Sequence, residues 1–479
     1  MSAAPDVARK TAPNVVLILV DDLGGRDLSC YGSTFYETPV LDALATRGVR
    51  FDSAYASAPV CSPTRASLLT GKYPARVGVT QYIGGHAVGK LQDVPMLSCL
   101  PLQEISLARA LRSGGYRTWH VGKWHLGERS TWPLRHGFDV NLGGCDWGHP
   151  PTYFSPYGCP TLEDGPPGEY LTDRLTDEAI RLVEEHPRDR PFFLNLWHNA
   201  VHTPIQAPPD LVAKYERKAH DLGLERQEAF ADGEPYPVWH LRHHRVRRRV
   251  VQSDPAYAAM IESLDTNVGR LLDALERTGQ TDDTVVVFAS DNGGLATSEG
   301  SPTCNAPLTE GKGWNYEGGV RTPLIVSWPG GGWDGAGGSG GRVVDEPVTT
   351  PDLYPTILAA AGLPVPDGQH VDGVDLGPVL RAEPFRRGPI YWHYPHYSNQ
   401  GGTPAASVRA EEWKLVRFFE DDRTELYHLV EDISESFDRA ADEPDVVDRL
   451  SRLLDEWLSD VGAILPRPSP VAAFDDLPG

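Results

Sequence analysis

Two pairs of hard oxygen donors stand directly behind short apolar runs. Asp21 and Asp22 follow Asn14 to Val20 (NVVLILV), and Asp291 and Asn292 follow the run Val285 to Ala289. Oxygen-only donors suit calcium or magnesium better than zinc, which takes thiolate and imidazole. A single Asp after a strand is commonly a cap or turn residue. Two adjacent carboxylates fit that role less well, because they repel one another unless a cation or basic groups neutralise them. Basic groups occupy equivalent positions: Lys123 and His125 follow Tyr116 to Val121, and His198 and His202 follow Phe192 to Trp197. In PVCSPTRASLLTG, Pro59 to Gly71, Cys61 precedes a proline turn, Arg65 and the helical run Ala66 to Leu69. Cys61 is thereby set near a helix N-terminus, where free N–H groups and the dipole favour an anion.

These groups can cooperate only if the elements carrying them lie side by side. The apolar runs, with Leu324 to Trp328 as a fifth, alternate with helix-like stretches, the pattern of a parallel sheet covered on both faces. The clearest helix is Pro255 to Leu275, with Asp254 as N-cap and proline at the first helical position. In such sheets ligands bind beyond the carboxyl ends of the strands. Parallel neighbours would therefore turn all of the groups above towards one crevice.

From about Pro389 the texture changes. Ile390 to Tyr394, Ala406 to Phe418 and Thr424 to Leu429 read as short antiparallel strands, followed by a charged helix near Val446 to Leu458. The expected division is a catalytic α/β domain over 14–385 and a smaller subdomain over 386–479. Gly330 to Gly341 reads as a glycine-rich surface loop, and the basic run Leu241 to Val250 (LRHHRVRRRV) as a solvated helix face.

With 479 residues, 40% of them hydrophobic, the chain can bury a sizeable core. Its formal charge of -22 argues against a nucleic-acid binder, though not against a small anion held by a few buried cations. The apolar run Val15 to Val20 is far shorter than the roughly 20 residues of a spanning helix. Met1 to Pro13 lacks the shape of a secretory leader, so the expectation is a soluble, cytoplasmic protein. Cys30, Cys99, Cys145, Cys159 and Cys304 make no C-x-x-C pair and read as incidental thiols.

The segment around Cys61 resembles the C-x-P-x-R signature of the type I sulfatases, in which the cysteine is oxidised to formylglycine. GYRTWHVGKWHLG (Gly115 to Gly127) resembles the second signature of that family. The VDD at Val20 to Asp22, HTP at His202 to Pro204, SDNGG at Ser290 to Gly294 and EGKGWNYEGGVRTP at Glu310 to Pro323 follow in family order. Thr64 stands where serine is commoner and keeps the hydroxyl.

The resemblance implies an alkaline-phosphatase-like α/β fold, with a large mixed, mostly parallel sheet flanked by helices and a smaller C-terminal antiparallel sheet. It implies hydrolysis of sulfate monoesters by a formylglycine hydrate, through a covalent sulfo-enzyme intermediate. Asp21, Asp22, Asp291, Asn292 and the oxidised Cys61 side chain would hold Ca2+, with Mg2+ the alternative. Arg65 and Lys123 would stabilise the deprotonated diol, and His125 would be the base that releases sulfate. His202 and Lys312 would bind sulfate oxygens and protonate the leaving alcohol. A formylglycine-generating enzyme would be the maturation partner.

For the leaving group, Trp147 and His149 (in GGCDWGHPPTYFSPY) and Trp392, His393 and His396 (in YWHYPHYSNQGG) are candidate contacts. The latter segment resembles loops of the arylsulfatase and N-acetylgalactosamine sulfatase branches, which favours a sulfated sugar. The alternatives are a phosphonate or phosphate ester hydrolase of the same superfamily and a non-catalytic sulfated-glycan-binding protein.

Overall fold

The computed structural model describes residues 12–333 and 341–469. Along the chain the strands are β1 (Asn14–Val20), β2 (Val49–Phe51), β3 (Ala54–Tyr55), β4 (Arg117–Gly122), β5 (Val140–Leu142), β6 (Phe192–Trp197), β7 (Phe230–Pro235) and β8 (Arg245–Arg249). They continue with β9 (Thr284–Ser290), β10 (Leu324–Ser327), β11 (Arg342–Val344), β12 (Val348–Thr349), β13 (Ile390–Tyr394), β14 (Ala405–Ala410), β15 (Trp413–Phe418) and β16 (Thr424–His428). Eight of them form the main sheet in the order β11-β2-β10-β9-β1-β6-β4-β5.

Every residue of β1 is buried, because helices cover both faces of the sheet. Side chains alternate across a strand, so β1 feeds two cores. Val16, Ile18 and Val20 pack with the helices Pro39–Arg47, Leu171–Glu184 and Pro255–Arg277. Val15, Leu17 and Leu19 pack with Cys61–Thr70, Leu107–Ser113 and Leu353–Ala360. The long helix begins where its sequence demands, with Asp254 accepting from the backbone N–H groups of Ala256 and Tyr257.

β1 runs parallel to β6 and β9, and β6 parallel to β4, so the carboxyl ends of these four strands lie together. β10 runs antiparallel to both β9 and β2, the one reversal in the sheet among the described residues. Strands β13 to β16 form an antiparallel meander. Leu450, Leu454 and Trp457 of the helix Pro444–Asp460 pack there against Ala406, Val408, Leu415 and Leu426.

The basic run is not a helix face. Arg245, Arg247, Arg248 and Arg249 form β8, the partner of β7 in a two-stranded antiparallel ribbon. Alternation shows in the contacts: Val246 turns to one face and is buried, and Arg247 and Arg249 turn to the other, where both lie over the Phe230 ring. Of the glycine-rich loop, residues 334–340 lie outside the described part, as does most of the segment Met1 to Pro13. Among the described residues no helix is long and apolar enough to cross a membrane.

Candidate active site

The four strand ends deliver their groups into one cluster. Asp21 and Asp22 leave β1, Asp291 and Asn292 leave β9, and all four are buried. Lys123 follows β4, with its backbone N–H bonded to Trp197 O at the end of β6, and its Nζ lies 2.6 Å from Asp21 Oδ2. Arg65 reaches in from the helix Cys61–Thr70, with Nη2 2.7 Å from Asp291 Oδ2 and 3.4 Å from Asp21 Oδ1. Its guanidinium also lies over the Trp197 ring. Lys312 Nζ donates to Asp22 Oδ2 at 2.8 Å and lies 2.9 Å from His202 Nε2.

Cys61 is the first residue of its helix and lies between this cluster and the solvent, 3% exposed. Its Sγ is 3.3 Å from His125 Nδ1, and His125 Nε2 lies 3.0 Å from Ile83 O. The carbonyl can only accept, which makes Nε2 the protonated ring atom and leaves the Nδ1 lone pair facing Cys61. The ring is held from behind as well, since Ser62 Oγ donates to His125 O and accepts from Ile83 N.

The electrostatics follow from burial and spacing. Burial lowers His125, and Lys123 adds to the effect, so the ring stays neutral well below its ordinary value. Burial likewise holds His202 neutral, against the pull of Asp22. Burial pulls Lys312 down, but Asp22, Glu299 and the other negative groups around it together outweigh that pull and keep the ammonium charged. Burial also raises the Cys61 thiol. The first carboxylate, Asp21, is pushed up to about 8 by burial, with Asp291 adding to the rise and Lys123 opposing it.

A hard cation fits these donors. Among the described residues Asp21 Oδ1, apart from its 3.4 Å ion contact with Arg65, and Asn292 Oδ1 are buried and accept no hydrogen bond, and buried acceptors without one are costly. Burial, the main cause of the raised Asp21, is a penalty on the carboxylate that a bound cation would relieve. Asp21, Asp22 and His202 also bring ligand atoms within 4.8 Å of one another. His202 Nε2, however, already lies against Lys312. The oxygen set Asp21, Asp22, Asp291 and Asn292 is therefore the better cradle.

Above Cys61 opens a cleft of about 480 Å³, lined also by His125, His202, Lys312 and His149. The His149 ring stacks on that of His202, with centroids 5.8 Å apart. Trp147 lines a separate cavity of about 20 Å³ beside Lys123 and Cys145.

Trp392, His393 and His396 are not brought to the cleft. They are core groups of the C-terminal sheet region, as both faces of β13 are covered. Trp392 Nε1 donates to Ala56 O, His393 Nε2 meets Ile464 O, and His396 lies between Thr80 and Asp93. The cleft instead takes Asn399 and Gln400 from the same segment, together with Tyr82 and Glu299. SNQGG is turn-like and could have marked Asn399 and Gln400. Tyr82 and Glu299 carry no local signal, since only the folded chain brings their loops to the cleft.

The sulfatase family model matches residues 13–363, and the model described as N-sulphoglucosamine sulphohydrolase, C-terminal, matches residues 311–460. Mouse N-acetylgalactosamine-6-sulfatase is 32% identical, over 80% of this chain and 68% of its own. Human arylsulfatase A is 33% identical, over 84% of this chain and 74% of its own. The crystal structure of Ps i-CgsB in complex with k-i-k-neocarrahexaose superposes with a TM-score of 0.72 at 29% identity, covering 93% of each chain. Strand ends carrying acids, cations and a helix-borne cysteine thus belong to a chain of known kin: it is a member of the sulfatase family, a sulfuric ester hydrolase.

Proposed function

We propose that this sulfatase acts on a sulfated sugar and that its nucleophile is the hydrated formylglycine made by oxidising Cys61. The observation carrying the reading is the contact of Cys61 Sγ with the unprotonated Nδ1 of His125, 3.3 Å away on the cleft wall. Sγ occupies the place that an oxygen on the oxidised Cβ would take. His125 is then positioned to accept a proton from that oxygen, and its neutrality at physiological pH equips it as a base.

A divalent cation, Ca2+ by family expectation and Mg2+ as the alternative, would be held by Asp21, Asp22, Asp291 and Asn292 and would acidify the attacking hydroxyl. Arg65 and Lys123 fix the carboxylates and add positive charge beneath Cys61. Lys312 and His202 face the cleft and form one hydrogen-bonded pair. With His202 Nε2 accepting from the ammonium, Lys312 carries the proton that can pass to the departing alcohol. Three carboxylates facing Arg65, Lys123 and Lys312 are formally balanced, so the cation leaves the pocket positive and matched to an anionic ester.

The sugar assignment draws on the names of the relatives, an N-acetylgalactosamine-6-sulfatase and a structure bound to neocarrahexaose. A cleft of about 480 Å³ also falls within the ordinary range for small-ligand sites. The deciding experiment is peptide mass spectrometry across Cys61, on protein made with an active formylglycine-generating enzyme, followed by parallel assays on sulfate and phosphonate monoesters. An aldehyde or its hydrate with preferential sulfate release supports the proposal. Preferential phosphonate cleavage would transfer the mechanism to the other ester class. A persistent thiol, or tight binding without turnover after verified oxidation, would leave a glycan-binding protein.

A further inference from the structure

One part of the cleft has a polarity of its own. Glu299 lines it and is exposed to solvent there. The carboxylate does not hang free: its Oε1 accepts from Gln400 Nε2 at 3.1 Å and from Asn399 Nδ2 at 3.3 Å. Gln400 is itself 1% exposed, and Tyr82 Oη donates to Asn399 Oδ1, so a buttressed network aims the group. Oε2 has no partner among the described residues.

The backbone is also committed to this placement. Ser298, Glu299, Gly300 and Ser301 all have positive φ, a conformation that non-glycine residues adopt only under constraint. The constraint comes from the arginine strand. Arg249 N donates to Ala296 O, Arg249 Nε to Ser301 O, and Ser301 Oγ to Arg247 O. Thr297 Oγ1 ties the same loop to Gln400 O.

The cleft therefore has two unlike ends. At the Cys61 end the ion-paired Lys312, Lys123 and Arg65 balance the carboxylates, so that the proposed cation would make this end positive, while Glu299 and the exposed Asp146 are the acids of the remaining lining. A sulfate monoester presents its single charge to the first end and its alcohol to the second. We propose that Glu299 is the specificity-determining residue for the leaving group, selecting an alcohol with neutral or amino substituents over one bearing a second sulfate or a carboxylate. A hydroxyl or ammonium can donate to Oε2, whereas another anion meets only repulsion and an acceptor with no proton to share. The inference rests on the sulfate-ester reading and narrows it to lightly charged sugars.

The test uses the full-length protein, with conversion of Cys61 checked by mass spectrometry, and three aryl sulfates carrying trimethylammonium, acetamido or carboxylate groups. Intrinsic leaving-group reactivity cancels when the cation-to-carboxylate ratio of kcat/KM is compared between wild type and variants. Glu299→Gln is expected to lower that ratio about tenfold, with turnover of the neutral substrate within about threefold of wild type. Glu299→Lys is expected to favour the carboxylate substrate, and 0.5 M salt to compress the wild-type ratio, by about threefold for a screened charge near solvent. An unchanged ratio in both variants, with neutral turnover intact, would overturn the role of Glu299 and leave the sulfatase reading standing. No turnover of any sulfate by verified, oxidised wild type would remove both.

Discussion

At the scale of single residues, Lys312 stands out because it is shared. Asp22 holds it charged, His202 accepts from it, and it faces the cleft. Lys312→Ala removes one fixed cation and, on the proposed mechanism, the proton source with it. The expected result is a fall in kcat of about 10²–10³, the usual loss when a preorganised donor is deleted. The loss should be largest for alkyl sulfates and smaller for nitrophenyl sulfate, whose leaving group needs no proton. Equal losses on both substrates would assign Lys312 to binding alone. His136 illustrates a different consequence of burial. Burial lowers it to about 4, with Arg109 adding to the shift and the Thr131 backbone opposing it. Between that value and the unfolded value of about 6.5, the unfolded chain holds one more proton. Stability from this group is present above pH 6.5 and is lost as pH falls through that window. His136→Gln should therefore reduce the stability lost between pH 7 and pH 5 by about 2 kcal/mol, measured by urea unfolding at both pH values.

At the scale of elements, the crevice depends on strand register. Gly122, with φ +103°, closes β4 opposite Trp197 of β6, where an added Cβ would lie 1.9 Å from Trp197 O. Gly122→Ala is expected to cost about 2–4 kcal/mol and to displace Lys123, cutting activity more than KM changes. Thermal unfolding and steady-state kinetics on the same preparation check both effects. The strands β1, β6 and β9 were legible in the sequence because a doubly covered strand is almost wholly apolar, whereas β4, with Arg117, Thr118 and His120, was marked by its β-branched and aromatic residues and by the GKWH that follows it. The reversed direction of β10 was not, since an apolar run carries no sign of orientation. The arginine strand was read as a helix because its charges mask the alternation that Phe230 and Glu310 impose on it. The cluster of acids and cations was legible because Asp21, Asp22, Lys123, Asp291 and Asn292 follow strands and Cys61 begins a helix. Tyr82 and Glu299 were not, because loops converge only through tertiary packing.

At the scale of the molecule, the C-terminal sheet is fastened to the Lys312 segment by buried charge. Lys414 of β15 lies 2.9 Å from Glu317 and 2.9 Å from Glu435, and Arg321 also pairs with Glu317. Lys414→Met would leave two carboxylates facing each other in the interior. A loss of about 3–5 kcal/mol is expected. Hydrogen exchange should rise together in residues 311–320 and in β14 to β16. A rise confined to the meander would mean that the two regions are not coupled. The helix Cys61–Thr70 has its own consequence at this scale, for all ten of its residues are buried. A small molecule can reach Cys61 through the cleft, but no second protein can grip the segment around it once the chain has folded. On the proposed formylglycine reading, enzymatic conversion of this side chain would be confined to the interval between synthesis and folding. A host that folds the chain faster than it matures it would then accumulate a stable, well-folded and permanently silent population, and the active fraction of a preparation would become a record of that race.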